Sequence, residues 1–425
     1  MNEDASARLS RRRLLTGAVG LGAAGLGGAA MAGRALAGNA DNLPPHVPEW
    51  TRTLGDGVGV RAYGQPSKFE KHVVRRDVQW LTASRESSVS FTPLHELDGI
   101  ITPNGLCFER HHGGIAEIDP QDHRLIVHGL TDKALMLTLA DLKRFPRVNR
   151  IHFLECAANS GMEWRGAQLN GCQYTHGMVH CVQYTGVPLK LILEEAGLKP
   201  NAKWILAEGA DASAMTRSLP LAKALDDCLV ATRMNGEMLR PEQGYPVRLV
   251  VPGWEGNMWV KWLRRLEVGD QPWQVREETS KYTDLLPDGR ARRFTFVMDA
   301  KSVITSPSPQ APVAAKGFLV ISGLAWSGRG TVRRVDVSLD GGRNWREAKI
   351  DGPVLDKACV RFYAETEWNG EELLLQSRAI DDTGYVQPTK DDLRKIRGTN
   401  SIYHNNGIQT WRVAPSGEVE NVEVG

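Results

Sequence analysis

The chain has 425 residues and six cysteines (107, 156, 172, 181, 228 and 359), yet it contains no C-x-x-C pair and no C-x-x-C-H run. That excludes covalent c-type haem attachment and a zinc-ribbon framework. No G-x-S-x-G elbow or Walker A loop is present, and no G-x-G-x-x-G stands between a strand and a helix. Serine hydrolase, NTPase and dinucleotide-binding readings therefore lose their sequence basis. Heptads, internal repeats and long apolar spans are lacking as well. Charge of one sign is scarce too. The formal net charge is +2, but the first 37 residues carry five Arg against Glu3 and Asp4, and without them it is −1. No basic stripe supports nucleic-acid binding. What remains is an ordinary globular composition, 41% hydrophobic and 24% charged, with enough length for two or three domains.

Residues 1–37 read as an export signal. Ser10-Arg11-Arg12-Arg13-Leu14-Leu15 matches a twin-arginine n-region, a Gly/Ala run follows, and Ala35-Leu36-Ala37 offers an A-x-A cleavage site. The run is short and rich in glycine, which disfavours a membrane anchor, and no membrane span is expected in the mature chain. The expected compartment is the periplasm, reached folded. Residues 38–298 then form one expected domain, of which 38–90 is polar and extended with little core. Residues 299–425 form a second, built from short alternating strands (Phe318–Trp326, Val332–Leu339, Leu373–Ala379) with turn residues between them. That pattern predicts a β-sandwich after an α+β domain.

The apolar run Ile151, Phe153, Leu154 predicts a strand that stops at Cys156, before the small, polar Ala157-Ala158-Asn159-Ser160-Gly161. A thiol at a strand end, facing a loop whose backbone can approach a ligand, suits a soft transition metal; the plainer reading is a buried apolar thiol. Cys172, His176, His180 and Cys181 form a second cluster. It offers a structural or hydrolytic zinc site, with His176 and His180 sharing a helix face, although H-E-x-x-H is lacking. A Cys172–Cys181 disulfide is also open. Thr138 should cap a helix, and Thr185–Gly197, with Pro188 early and Gly197 last, should be another. Arg248 and Lys261 interrupt apolar runs, and a charge placed there needs an anionic partner.

Several motifs, taken in order, resemble the sulfite oxidase family of molybdenum enzymes, and within it the sulfane dehydrogenase (SoxC-type) subunit of bacterial thiosulfate oxidation. They are Thr102-Pro103-Asn104, Glu155-Cys156-Ala157-Ala158-Asn159, Met234-Asn235-Gly236-Glu237, Val251-Pro252-Gly253, Val260-Lys261-Trp262-Leu263, Trp326-Ser327-Gly328, Val337–Gly342 and Asn405–Trp411. The resemblance implies a sulfite-oxidase-type molybdopterin domain followed by an immunoglobulin-like dimerisation sandwich. It makes Cys156 the metal ligand of a molybdenum cofactor (Mo-molybdopterin). Phe108, Glu109, Arg110, His111, His112, Asp211, Arg248, Trp259, Val260 and Lys261 become cofactor-binding, and Arg110, Tyr282 and Arg329 catalytic.

Three positions depart from the family pattern. Gly161 stands near a second substrate Arg, Gln243 replaces a pocket His, and Met258 replaces an Arg. Fewer positive charges suit a bulkier, less charged sulfur, such as a cysteine persulfide on a carrier protein, over free sulfite. The expected reaction is oxygen-atom transfer to sulfur, with electrons passing to a separate c-type cytochrome. The expected assembly is a homodimer within a hetero-oligomer. The alternatives are a sulfite dehydrogenase acting on free sulfite and an exported zinc hydrolase.

Overall fold

The computed structural model describes residues 48–424, apart from 52, 53, 56, 61, 80, 169 and 170. The expected export signal, residues 1–37, lies outside the described residues. Two units are distinguished, Met1–Gln65 and Pro66–Gly425. The described part of the first holds one short turn of helix, Glu49–Thr51, and its large apolar side chains Trp50, Leu54, Val58, Val60 and Tyr63 are exposed. Later in the expected arm of residues 38–90, Val78 and Val89 already pack into a hydrophobic core. No helix among the described residues is long and apolar enough to cross a membrane.

From Pro66 onward the chain builds two hydrophobic cores. The first lies between two five-stranded sheets. One runs Glu237–Met238, Leu229–Met234, Val179–Pro188, Val148–Glu155, with Arg248–Val250 added beside Leu229–Met234. The other runs Leu135–Leu137, Leu125–Gly129, Leu263–Gly269, Trp204–Gly209, Thr216–Pro220. Short helices connect and cover them. Thr138 caps Leu139–Leu142 with a complete capping box, accepting from Asp141 N–H while the Asp141 carboxylate accepts from Thr138 N–H. Leu189–Ala196 buries Leu189, Ile192, Leu193 and Ala196, and ends at Gly197 in a left-handed conformation (φ 73°) that an L side chain rarely adopts.

The second core is a sandwich. A four-stranded sheet (Lys301–Ser306, Gly317–Trp326, Val360–Trp368, Lys349–Asp351) faces a five-stranded one (Arg346–Glu347, Val332–Ser338, Leu373–Asp381, Thr410–Val413, Val419–Val422). Trp326, Phe362, Leu375 and Trp411 fill it. Phe153, Val179 and Cys181 from the first domain pack into this same core. The seam between the two domains therefore has a continuous apolar part, beside which buried polar pairs such as Lys301–Glu155 also cross.

Three expectations need correction. The helix predicted from Thr185 begins only at Leu189, because the Val179–Pro188 strand keeps its ladder with Val148–Glu155 and Leu229–Met234. His176 and His180 share no helix face: the helix ends at His176, and His180 sits on the next strand. The sandwich also carries an unpredicted helix, Lys390–Arg397, capped by Thr389. Its sequence is almost wholly polar, and Leu393 is its one buried apolar residue, so no apolar period announces it.

Candidate active site

The Val148–Glu155 strand delivers Cys156 to the floor of a cleft in the first domain. Cys156 N–H donates to Met178 O (3.0 Å) and Asn159 N–H to Cys156 O (2.9 Å), closing a tight turn after the thiol. Asn159 Oδ1 accepts from Met178 N–H (3.1 Å), tying the far side of the turn to the neighbouring strand. Small residues are required here. A Cβ on Gly256 would stand 2.8 Å from Glu155 O and 3.3 Å from Cys156 Cα. Burial pushes the Cys156 thiol up, while the Ala158 N–H and the Arg110 charge pull it back. A free thiolate is costly in this cleft, and a bound cation is what would stabilise one.

Above Cys156 the cleft is lined by Phe108, Arg110, His111, His112, Asp211, Gln243, Arg248, Trp259, Val260, Lys261 and Tyr282, and it opens to solvent. Most of the residues expected at the cofactor thus converge. The charges are unequal: three cations line the cleft against one carboxylate, Asp211, which is already engaged by Ser213 Oγ and Met215 N–H. Arg248 is wholly buried and donates only to carbonyl groups, Gln243 O (3.1 Å), Gln243 Oε1 (3.4 Å) and Trp259 O (3.2 Å). Its Nε has no partner, and neither does His180 Nδ1. Lys261 Nζ donates to Arg110 O (3.1 Å) and Glu242 O (3.1 Å) and meets His111 Nδ1 at 2.8 Å. Burial and the neighbouring Arg248 bring its ammonium down to about 7. One buried cation, Arg248, and two half-buried ones, Arg110 and Lys261, none with a carboxylate in ion-pair contact among the described residues, define an anion cradle. With a thiol below and hydrogen-bonding groups around it, the cleft fits a molybdenum pterin bearing a phosphate.

On one wall Tyr282 Oη meets His112 Nε2 at 2.8 Å. Burial and the Arg110 charge bring His112 down to about 3, so it is neutral at neutral pH. Burial, with a smaller push from the neighbouring Cys156, drives Tyr282 up, so it keeps its proton. The tyrosine backbone is left-handed (φ 50°), and its ring is braced by Tyr403 (centroids 5.0 Å) and the Arg217 guanidinium (5.5 Å).

Two expected residues stand elsewhere. Arg329 is absent from the lining; its guanidinium pairs with Asp299 (2.7 Å) and lies over the Tyr385 ring, and its side chain is 41% exposed. The nearby carboxylate wins it. Glu109 stands behind the cleft, paired with Arg75 and bonded to His111 Nε2 (2.8 Å), where it orients the ring that meets Lys261. Arg217 and Asn257 went unnoticed in the sequence, because nothing local distinguishes them. Gly161 is a departure with a visible cause: a Cβ there would come within 2.5 Å of Ile402 O. The C-terminal segment fills the space that a longer side chain would need.

The zinc reading does not survive. Cys172 Sγ faces Ser308 Oγ (3.8 Å), His176 Nδ1 meets Thr175 Oγ1 (2.8 Å) and His180 Nε2 meets Tyr184 Oη (3.2 Å). Among the described residues no group of three His, Cys, Asp or Glu side chains is placed to hold a metal. The six cysteines are all free and buried, so Cys172 and Cys181 form no disulfide.

Comparison with known proteins agrees with this geometry. The oxidoreductase molybdopterin binding domain family matches residues 112–276, and the Mo-co oxidoreductase dimerisation domain family matches residues 292–411. Together they define a molybdopterin oxidoreductase followed by a dimerisation domain. Chicken sulfite oxidase (Gallus gallus) is 35% identical over 316 residues, covering 68% of each chain. Mouse mitochondrial sulfite oxidase (Mus musculus) is 33% identical over 346 residues, 73% of this chain; the match spans 62% of the mouse protein. The crystal structure of the sulfane dehydrogenase SoxCD from Paracoccus pantotrophus superposes with a TM-score of 0.88 at 61% identity, covering 89% of this chain and 98% of that one. The chain belongs to the sulfite oxidase family, and within it resembles the SoxC type.

Proposed function

We propose that this chain is the molybdenum subunit of a periplasmic sulfane dehydrogenase, oxidising a carrier-borne sulfane sulfur and passing electrons to a c-type cytochrome. The observation that carries this reading is the 61% identity to the Paracoccus pantotrophus sulfane dehydrogenase across nearly its whole chain. The cleft supports it. With Gly161 sealed by Ile402 O, Arg329 engaged by Asp299 and Arg248 held by carbonyl groups, Arg110 is, among the described residues of the cleft lining, the arginine left to meet a substrate. A cleft with this little charge at the reacting end favours a sulfur already attached to a carbon chain over a free dianion.

Cys156, Arg110, Arg248 and Lys261 would hold the cofactor, which when bound supplies oxygen-atom transfer and accepts two electrons. Arg248 and Lys261 offset the negative charge of its pterin and phosphate. Arg110 stabilises oxyanion character as it develops on the sulfur. The Tyr282 Oη–His112 Nε2 pair stays neutral and can hold or pass one proton beside the reacting sulfur. Trp259 and Val260, both buried, exclude water from the inner wall. The arginine pair and A-x-A site of residues 1–37 support export by the twin-arginine route, folded and with the cofactor in place. The dimerisation domain supports a homodimer, extended to a hetero-oligomer by the cytochrome.

The test offers the purified protein free sulfite and a cysteine persulfide on a carrier protein in turn, with cytochrome c as acceptor. The expected result is faster turnover of the carrier-borne sulfur. Brisk oxidation of sulfite alone would replace this reading with a sulfite dehydrogenase.

A further inference from the structure

We infer that the sandwich domain is a structural part of the catalytic site, with Lys301 and Asn405 acting as positioning residues for the Cys156 loop. The matching family names this domain for dimerisation, yet within a single chain it grips five of the seven residues 155–161. Glu155, directly before the thiol and wholly buried, accepts from Lys301 Nζ (2.8 Å) and Trp326 Nε1 (2.7 Å). Lys301 Nζ also donates to Asn159 O (3.3 Å), and Asn159 Nδ2 donates back to Glu155 Oε1 (3.0 Å). On the other side His404 N–H donates to Ala157 O (2.7 Å) and Asn405 Nδ2 to Ser160 O (3.1 Å), while Ile402 O closes over Gly161.

These contacts lie against the thiol's own loop, where a dimer contact would have no need of them. A carboxylate next to a metal-binding thiolate would repel it; Lys301 offsets that charge and fixes the direction of the carboxylate at once. The pair is almost fully desolvated, its side chains 1% and 0% exposed, so it sets one geometry instead of several. A small shift of the loop would move the sulfur relative to everything built around it.

The test rests on the bound cofactor and not on which sulfur compound is oxidised, so a wrong substrate assignment leaves it intact. Asn405→Ala, Lys301→Gln and the double variant Glu155→Gln/Lys301→Gln are purified as full-length, cofactor-loaded protein. Paramagnetic resonance of the partly reduced molybdenum reports the sulfur's geometry, alongside kcat, KM, thermal midpoint and assembly size. Asn405→Ala is expected to shift the spectrum and lower kcat several-fold, with KM and assembly unchanged and the thermal midpoint lowered only by the loss of its two buried hydrogen bonds. Lys301→Gln should shift the spectrum further, and the neutral double pair should restore it toward the parent. Should Lys301→Gln fail to fold, Asn405→Ala and the double variant decide. Parent-like spectra in Asn405→Ala and in every folded Lys301 variant would overturn the inference. So would a spectrum that moves only together with the assembly, or a parent protein without molybdenum.

Discussion

Two groups of charges, one buried and one partly so, lie close together in this molecule and obey opposite rules. Around Cys156 and behind Tyr282 the cations are matched: Lys301 faces Glu155 at 2.8 Å, and Arg217 faces Glu255 at 3.2 Å and Glu278 at 3.7 Å. In the cleft, Arg110, Arg248 and Lys261 face carbonyls, an imidazole and open space. Both groups were costly to desolvate. The first settles its charge within the protein and is architecture. The second leaves a surplus for a ligand to settle. The sign and size of that surplus identify the ligand's charge before its identity is considered.

The contrast can be broken most forcefully at Arg217. Arg217→Met strands two buried carboxylates and should cost about 3–5 kcal/mol of stability, read by denaturant unfolding. A loss below 1 kcal/mol would mean that the matched group is not architectural. Acidification tests the surplus from the other direction. His112 is held near 3 by burial, so between about pH 6.5 and 3 the unfolded chain binds a proton that the folded chain does not. Stability should therefore fall as pH drops through that window, by at most about 5 kcal/mol for this group and by less to the extent that solvent screens it. Calorimetry of parent and His112→Asn should show a shallower fall in the variant.

Lys261→Met should do the reverse of Arg217→Met. Removing this unmatched, half-buried cation relieves its charge but leaves Arg110 O and Glu242 O without their donor. The cofactor-free protein should therefore change in stability by only about 1 kcal/mol, while cofactor retention weakens by about 1.5–3 kcal/mol, the worth of a charge-assisted hydrogen bond. Molybdenum and pterin retained after dialysis measure it. The smallest effect belongs to charges outside both groups. Lys133 pairs with Glu195 at 2.6 Å, but the side chains are 56% and 52% exposed, and Lys133→Ala should change stability by less than about 1 kcal/mol.

Much of this was readable in the residues. The strand ending at Cys156, the capped helix at Thr138, the alternating strands after Asp299 and the charges breaking two apolar runs are local patterns, and local patterns survive folding. The Val260-Lys261-Trp262 and Glu155-Cys156 motifs led to the cleft for the same reason. What escaped was settled at long range. Arg329 pairs with Asp299, a choice that only three-dimensional proximity makes. Arg217 is a pocket brace because two glutamates, 38 and 61 residues away in sequence, converge on it. His180 left its supposed helix because strand pairing outweighed the i, i+4 spacing with His176. Polar Lys390–Arg397 is helical because Thr389 caps it and Leu393 anchors it, and a single anchor makes no period.

The grip of Lys301, His404 and Asn405 on the Cys156 loop also bears on how such chains could be recombined. The seam near residue 298 looks like a natural place to join halves from different relatives, since it separates two folds. A hybrid cut there would keep an intact reaction cleft and an intact sandwich, yet lose the fit between them at the thiol. Heredity would then treat the two folds as one gene segment, with changes at Glu155 tolerated only alongside changes at Lys301.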